Sequence, residues 1–305
     1  MEFRGPDDVT QVHRGLEDNG YFPSDGLAAA VFLSVSLQRP LFLEGQPGVG
    51  KTEVAKVLAE WLQTDLLRLQ CYEGIDASQA MYEWDYSRQL LHLRASEASG
   101  RATSMDEETL EDELYDQRFL VRRPLLQAID FKGDMPPVLL IDEIDRADDE
   151  FEAFLLELLS DYSISIPEVG SFTAETPPIV LITSNRTRDV HDALKRRCLY
   201  HWVEHPGYDR EVQILQAKAP SVADTMVKQI AAVVAQMRDM NLYKPPGVSE
   251  SIDWALALDR LGSRDLTEEA VLTTIGALLK YREDQQKLND HDLDQILQNA
   301  YARAG

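Results

Sequence analysis

The sequence predicts an α/β protein: a mostly parallel sheet covered on both faces by helices, followed by a smaller all-helical domain. Two observations carry this. Short strand-like runs at Leu41–Leu43, Leu66–Cys71, Val138–Ile141 and Ile179–Thr183 alternate with stretches of helical periodicity up to about residue 205. Beyond His205-Pro206-Gly207, every periodic stretch has the 3.6-residue spacing of a helix. The expected domains are therefore 1–205 and 206–305, in a chain of 305 residues with 44% hydrophobic content, ample for two cores.

Taken in order, Leu27–Leu37 is apolar and Ala-rich and fits a buried helix. Leu41-Phe42-Leu43 reads as a buried strand running into a glycine loop. After the loop, Val54, Val57, Leu58, Trp61 and Leu62 share one helix face, and Leu66–Cys71 is the next strand. Trp84–Arg94 reads as an extended arm, followed by a small-residue turn. Met105–Gln117, with seven acids and no base, reads as a solvated, mobile segment. Val138–Ile141 ends in Asp142-Glu143, and Phe151, Phe154, Leu155, Leu158 and Leu159 then repeat at helical spacing. Ser163–Ile166 alternates polar with apolar ahead of Pro167 and Gly170, the pattern of a hairpin. Hairpin inserts are thus expected near 84–120 and 162–177. Ile179–Thr183 is a buried strand, and a last one is expected near Tyr200–Val203. In the helical remainder, Val227, Ile230, Val233, Val234 and Met237 share a face. So do Val271, Ile275, Leu278 and Leu279, and Leu293, Ile296 and Leu297 begin a final short helix.

Acids outnumber bases by 53 to 30, a formal charge of -23, which repels phosphate backbones and anionic membranes and so disfavours nucleic acid as a partner. Cys71 and Cys198 form no CxxC pair or metal-ligand cluster and read as reduced thiols. The segment MEFRGPDDVT lacks the pattern of a signal peptide, and no apolar run is long enough to span a bilayer. A soluble cytoplasmic protein without a membrane span is expected.

Residues Gly45 to Thr52 read GQPGVGKT, between a strand and a helix. Gly45, Gly48 and Gly50 let backbone N–H groups curl around phosphate oxygens at the positive end of the following helix. Lys51 neutralises the β- and γ-phosphates, and the Thr52 hydroxyl takes a position on Mg²⁺. The nucleotide contacts are thus Gly45, Gln46, Pro47, Gly48, Val49, Gly50, Lys51, Thr52 and Glu53. A plain glycine turn is the alternative, but the full match in a strand–loop–helix context favours an ATP site. Asp142 and Glu143 leave the end of a buried strand, where Asp142 can hold Mg²⁺ and Glu143 can polarise the attacking water. Asp145, Asp148, Asp149 and Glu150 fit a charged, helix-capping face instead. Asn185, ending Thr183-Ser184-Asn185, could bond the γ-phosphate, hold the water, or simply form a turn. Lys195-Arg196-Arg197 is a basic run of the kind usually found on solvated surface. Tyr21 and Phe22 precede the first strand, where adenine contacts are plausible.

The order GQPGVGKT, VLLIDEIDRA, ITSN, DALKRRC resembles the AAA+ superfamily, and DEIDRA resembles the box of its MoxR branch. Within that branch, LRLQCYEGIDASQAMYEWDYSRQLLHLR, LLSDYSISIPE and KPPGVSESIDWA look closest to the CoxD type, over about Leu27 to Asp284. The resemblance implies a nucleotide-binding αβα domain, a helical lid, and a homo-oligomeric ring, usually hexameric, with ATP held between neighbours. It puts Lys51 and Thr52 at Walker A, Asp142 and Glu143 at Walker B, and Asn185 at sensor 1. Arg197 takes the place of the arginine that reaches into the next subunit's site, with Arg196 in reserve. In Gly247-Val248-Ser249-Glu250-Ser251, Ser251 stands where many relatives carry a sensor 2 arginine. The inserts sit where this branch carries pore-facing, client-touching hairpins. The implied function is a chaperone-like remodelling ATPase that matures a client metalloenzyme, of the molybdenum hydroxylase or carbon monoxide dehydrogenase type, with a von Willebrand factor A domain partner. A nucleic-acid motor and an ATP-dependent assembly switch are the alternatives. Charge weighs against the first and Glu143 against the second.

Overall fold

The apolar runs become a five-stranded sheet in the computed structural model, which describes residues 5–99, 107–290 and 293–304. In chain order the early elements are α1 (Val9–Asp18), α2 (Asp25–Leu37), β1 (Leu41–Gly45), α3 (Lys51–Leu62), β2 (Leu66–Gln70), α4 (Ala77–Met81), β3 (Tyr82–Trp84), α5 (Tyr86–Ala98), α6 (Glu107–Leu114), β4 (Leu120–Arg122) and α7 (Pro124–Ile129). Then come β5 (Val138–Asp142), α8 (Asp149–Asp161), β6 (Ser163–Ile166), β7 (Gly170–Thr173), β8 (Ile179–Ser184), α9 (Asp192–Arg197) and β9 (Leu199–Val203). The helical remainder is α10 (Tyr208–Lys218), α11 (Asp224–Asp239), α12 (Val248–Arg260), α13 (Glu268–Leu278), α14 (Arg282–Asp290) and α15 (Leu293–Ala304).

Chain contacts divide these into two units. One contains Ala29–Leu43 and Leu58–His201; the other contains Val9–Ala28, Glu44–Val57 and Trp202–Gly305. In the first, the strand order is β2-β5-β8-β1-β9. Strands β2, β5 and β8 run parallel, with Leu69 opposite Ile141 and Ile141 opposite Ile182. Every residue of β5 and β8 is buried, as a sheet covered on both faces requires. Phe42, Leu125, Ile129, Leu139, Ile141, Phe151, Leu155 and Ile182 form the heart of its core. The helix expected at Leu27–Leu37 forms within α2, yet Leu33 and Leu37 are exposed, so it is buried along one side only.

The insert differs from its sequence reading. Trp84–Arg94 is not an extended arm: after β3 the chain turns into α5 at Asp85, whose carboxylate caps the helix by accepting the Arg88 N–H. The run Leu90, Leu91, Arg94 and Ala95, free of β-branched residues, has helix-forming character that the reading overlooked. Strands β3 and β4 pair antiparallel, Trp84 opposite Leu120, and so bracket α5 and α6. Of the acidic stretch Met105–Gln117, residues 107–114 are helical, and the mobility expected at 105–106 lies outside the described residues. Strands β6 and β7 pair as a hairpin, with buried Ile164 and Ile166 alternating with Ser163 and Ser165.

In the second unit the buried face of α11 (Val227, Ile230, Val233, Val234, Met237) packs with α10, α12 and α15. Trp254 of α12, fully buried, satisfies its indole N–H on the Thr274 hydroxyl of α13 at 2.7 Å. Arg238 and Glu211 form a buried ion pair at 2.7 Å, and the guanidinium also donates to the Pro206 and Pro246 carbonyls. Buried Asp284 accepts the Tyr243 and Lys244 N–H groups. Among the described residues no helix is long and apolar enough to cross a membrane. Cys71 and Cys198 are free and buried, and burial pushes both thiols up to about 12, where they are protonated and unreactive at neutral pH.

Candidate functional site

Strand β1 ends at Gly45 and α3 opens at Lys51, so Gln46 to Gly50 form a tight connection. Gly48 and Gly50 sit at φ +81° and +93°, the left-handed region in which a side chain is strained. At Gly45 a Cβ would lie 2.4 Å from the Val203 carbonyl oxygen, so this position must be glycine for a different reason. Lys51, 5% exposed, donates from Nζ to the carbonyls of Gly45 at 2.7 Å and Gln46 at 2.8 Å. Its ammonium is folded onto the loop that carries it. The Gln46 amide oxygen lies 3.1 Å from His205 Nε2. Burial, reinforced by Arg238 and Lys51, pushes His205 down to about 4, so it is neutral at pH 7. Pro47 is exposed and Val49 buried, and Thr52 lies in the first turn of α3. Glu53 is engaged by Lys56 at 3.2 Å and Lys218 at 3.3 Å. Burial raises its pKa, but the two ammonium groups outweigh burial and leave it lowered. Tyr21 lies against Gly50, its ring 3.6 Å from where a Cβ would stand, and burial pushes its phenol above the ordinary range. Phe22 is half-buried.

The same unit brings the start of α12 onto this loop. The Val248 N–H donates to the Gly48 carbonyl at 2.9 Å, and a Cβ on Gly247 would come within 2.9 Å of Gly48 Cα. Ser251 is fully buried, and its hydroxyl donates to the Gly247 carbonyl at 3.0 Å, one turn back along its own helix. Ser251→Arg is therefore expected to strain the start of α12 and to make no phosphate contact, costing roughly 1–3 kcal/mol by overpacking. A thermal melt checks this, and an unchanged Tm with tighter ATP binding would show that the guanidinium finds a way out.

The carboxylates belong to the other unit. Asp142, 2% exposed at the end of β5, accepts the Thr183 hydroxyl at 2.6 Å on Oδ1. On Oδ2 it accepts Arg68 Nη2 at 2.6 Å and Nε at 3.0 Å. Glu143 adopts the left-handed backbone (φ +56°), with its N–H held by the Thr183 oxygen at 2.9 Å. A non-glycine residue there stores roughly 1–3 kcal/mol of strain, tolerated where the surroundings over-determine it. Its carboxylate accepts Asn185 Nδ2 at 3.2 Å on one oxygen, and Gln70 and Arg146 at 3.1 Å on the other. Asp148 caps α8 as expected, accepting the Phe151 N–H. Asp145 departs from the reading that grouped it with this capping face: it is buried and accepts the Asn185 N–H, the Thr187 N–H and the Thr187 hydroxyl. It anchors the loop that carries Asn185.

Asp142, Glu143, Thr183 and Asn185 thus form one hydrogen-bonded cluster. Arg68 and Gln70, which the sequence reading missed, belong to it. Their signal was two polar side chains at i and i+2 on an otherwise apolar strand, which places both on one face. Arg197 is exposed at the end of α9 and donates to the Leu156 carbonyl at 3.2 Å. Arg196 is exposed beside it, and the carbonyls of both residues are capped by Arg39.

The glycine loop fits the phosphates of a nucleotide. A left-handed glycine cradle ahead of a helix N-terminus, with a lysine at its mouth, suits phosphate. Thr52 in one unit and Asp142 in the other each carry a hard oxygen of the kind Mg²⁺ takes. Among the described residues, no group of three or more His, Cys, Asp or Glu could hold a metal by itself.

Residues 40–198, just over half of the chain, match the family model described as AAA domain (dynein-related subfamily). No curated protein matches the chain. Among solved structures, a point mutant of RuvB from Thermotoga maritima is similar at 16% identity and TM-score 0.47, over 88% of this chain and 72% of its own. The RuvB Holliday junction branch migration motor of the same organism gives 16% and 0.46, over 88% and 71%. An ATPase candidate from Cytophaga hutchinsonii gives 13% and 0.46, over 97% and 93%. These likenesses are distant.

Proposed function

The chain belongs to the AAA family, in its dynein-related subfamily, and from that premise we propose that it hydrolyses ATP to remodel a client protein. The observation that carries this is the cradle itself: Gly48 and Gly50 at positive φ, directly ahead of a helix whose first residue is a buried lysine. In the proposed site Gly45 to Thr52 bind the phosphates, and Lys51 exchanges the Gly45 and Gln46 carbonyls for phosphate oxygens. Thr52 and Asp142 would hold magnesium, which when bound supplies positive charge against the phosphates. Glu143 takes the proton of the attacking water, oriented by Asn185 on one oxygen and Gln70 on the other. Arg197 completes the site of a neighbouring subunit, with Arg196 as the alternative.

The same proposal takes residues 1–205 as the nucleotide domain and 206–305 as a lid. It takes the assembly as a homo-oligomeric, six-membered ring in the cytoplasm. The DEIDRA box and the CoxD-like phrases support a MoxR-type remodelling factor acting on a client metalloenzyme with a von Willebrand factor A domain partner. The charge of -23 argues against a nucleic-acid motor. For Lys51→Ala we expect ATP binding, measured by calorimetry, to weaken about 10- to 100-fold, the scale of one lost charge-assisted hydrogen bond. Parent-like affinity in that variant would remove the loop as the phosphate site.

A further inference from the structure

The segment Gly247-Val248-Ser249-Glu250-Ser251 carries, one residue before the buried Ser251, a carboxylate that the proposed chemistry does not use. Glu250 Oε2 is buried and accepts no hydrogen bond among the described residues. It lies 3.0 Å from where a Cβ on Gly48 would stand and 2.7 Å from the corresponding point on Gly247. This places a charged oxygen directly against the backbone of the phosphate loop. It stands in the first turn of α12, the positive end of the helix dipole. The contact is held by other groups: the Val248 N–H to the Gly48 carbonyl, and two glycines that let the backbones meet. A buried carboxylate oxygen without a donor opposes this docking.

We propose that Glu250 sets the nucleotide affinity of the phosphate loop by acting as an anionic competitor: its carboxylate and an incoming polyphosphate repel each other, so binding drives the start of α12 off Gly48. This rests on the reading of Gly45–Thr52 as the phosphate site. Lid docking and triphosphate binding are then antagonistic, the reverse of what an arginine in this segment would give. The penalty scales with ligand charge, so it is largest for ATP, smaller for ADP and smallest for AMP.

The test is calorimetric titration of parent, Glu250→Gln, Glu250→Ala and Lys51→Ala proteins with ATP, ADP and AMP, with and without Mg²⁺. Glu250→Gln keeps the shape and removes the charge. It is expected to bind ATP about tenfold tighter, about 1.4 kcal/mol, with a smaller gain for ADP and little for AMP. Glu250→Ala should show the same graded gain, which guards against an accidental contact made by the new amide. Unchanged or weaker ATP binding in both variants overturns the inference. So does a loss confined to the Mg²⁺ titrations, which would make Glu250 a metal ligand. A parent that binds no nucleotide refutes the site itself, whereas Lys51-dependent binding without the Glu250 gain refutes this inference alone.

Discussion

Arg197→Ala protein is expected to bind ATP with the parent's affinity and to hydrolyse it about 10³- to 10⁵-fold more slowly, the range over which an arginine supplied to a phosphoryl-transfer site acts. The residue is exposed at the last turn of α9 and spends one N–H on the Leu156 carbonyl, so its guanidinium has donors left for a partner. Arg39 holds the carbonyls of Arg196 and Arg197 and fixes where that helix ends. Because the helix end is tied through backbone atoms, truncating the side chain should leave the fold intact. Phosphate release in a verified oligomer is the measurement. Mixing Arg197→Ala with Glu143→Gln subunits adds a second: each variant alone is inactive, but an interface joining an intact site to an intact arginine should recover turnover. Normal turnover in Arg197→Ala, with a loss in Arg196→Ala, would move the role one residue back. Failure of mixed rings to recover would remove the trans arrangement.

Glu143→Gln is expected to retain ATP and lose about 10²- to 10⁴-fold in kcat, the contribution of a positioned general base. The amide keeps an oxygen for Asn185 Nδ2 and cannot take a proton from water. Its other end loses the bonds that Gln70 and Arg146 donate to Oε2, and surface contacts of this kind add little stability. The left-handed backbone at residue 143 is unaffected, since it is held through the N–H by Thr183. Stability should therefore match the parent while phosphate release in single turnover collapses. A rate within a few-fold of the parent would mean that Glu143 is not the base.

Local pattern in the chain encodes the first part of this fold. Apolar runs gave β1, β5 and β8, because strands buried on both faces favour apolar side chains until their polar C-terminal ends. The glycine loop was legible because positive φ and close backbone approach exclude other residues, and the Asp142-Glu143 pair because it abruptly ends such a run. The insert misled, since the helix-forming run after Asp85 was read through its short strand β3. The remaining contacts arise only once the elements pack together. Arg68 meets Asp142 because β2 and β5 are neighbours, and Asp145 holds Asn185 because the loops after β5 and β8 meet. Ser251 is turned inward and Glu250 set against Gly48 because the start of α12 docks on the glycine loop. These are pairings between residues tens to hundreds of positions apart, set by strand order and helix docking, and no local spacing of side chains carries that information.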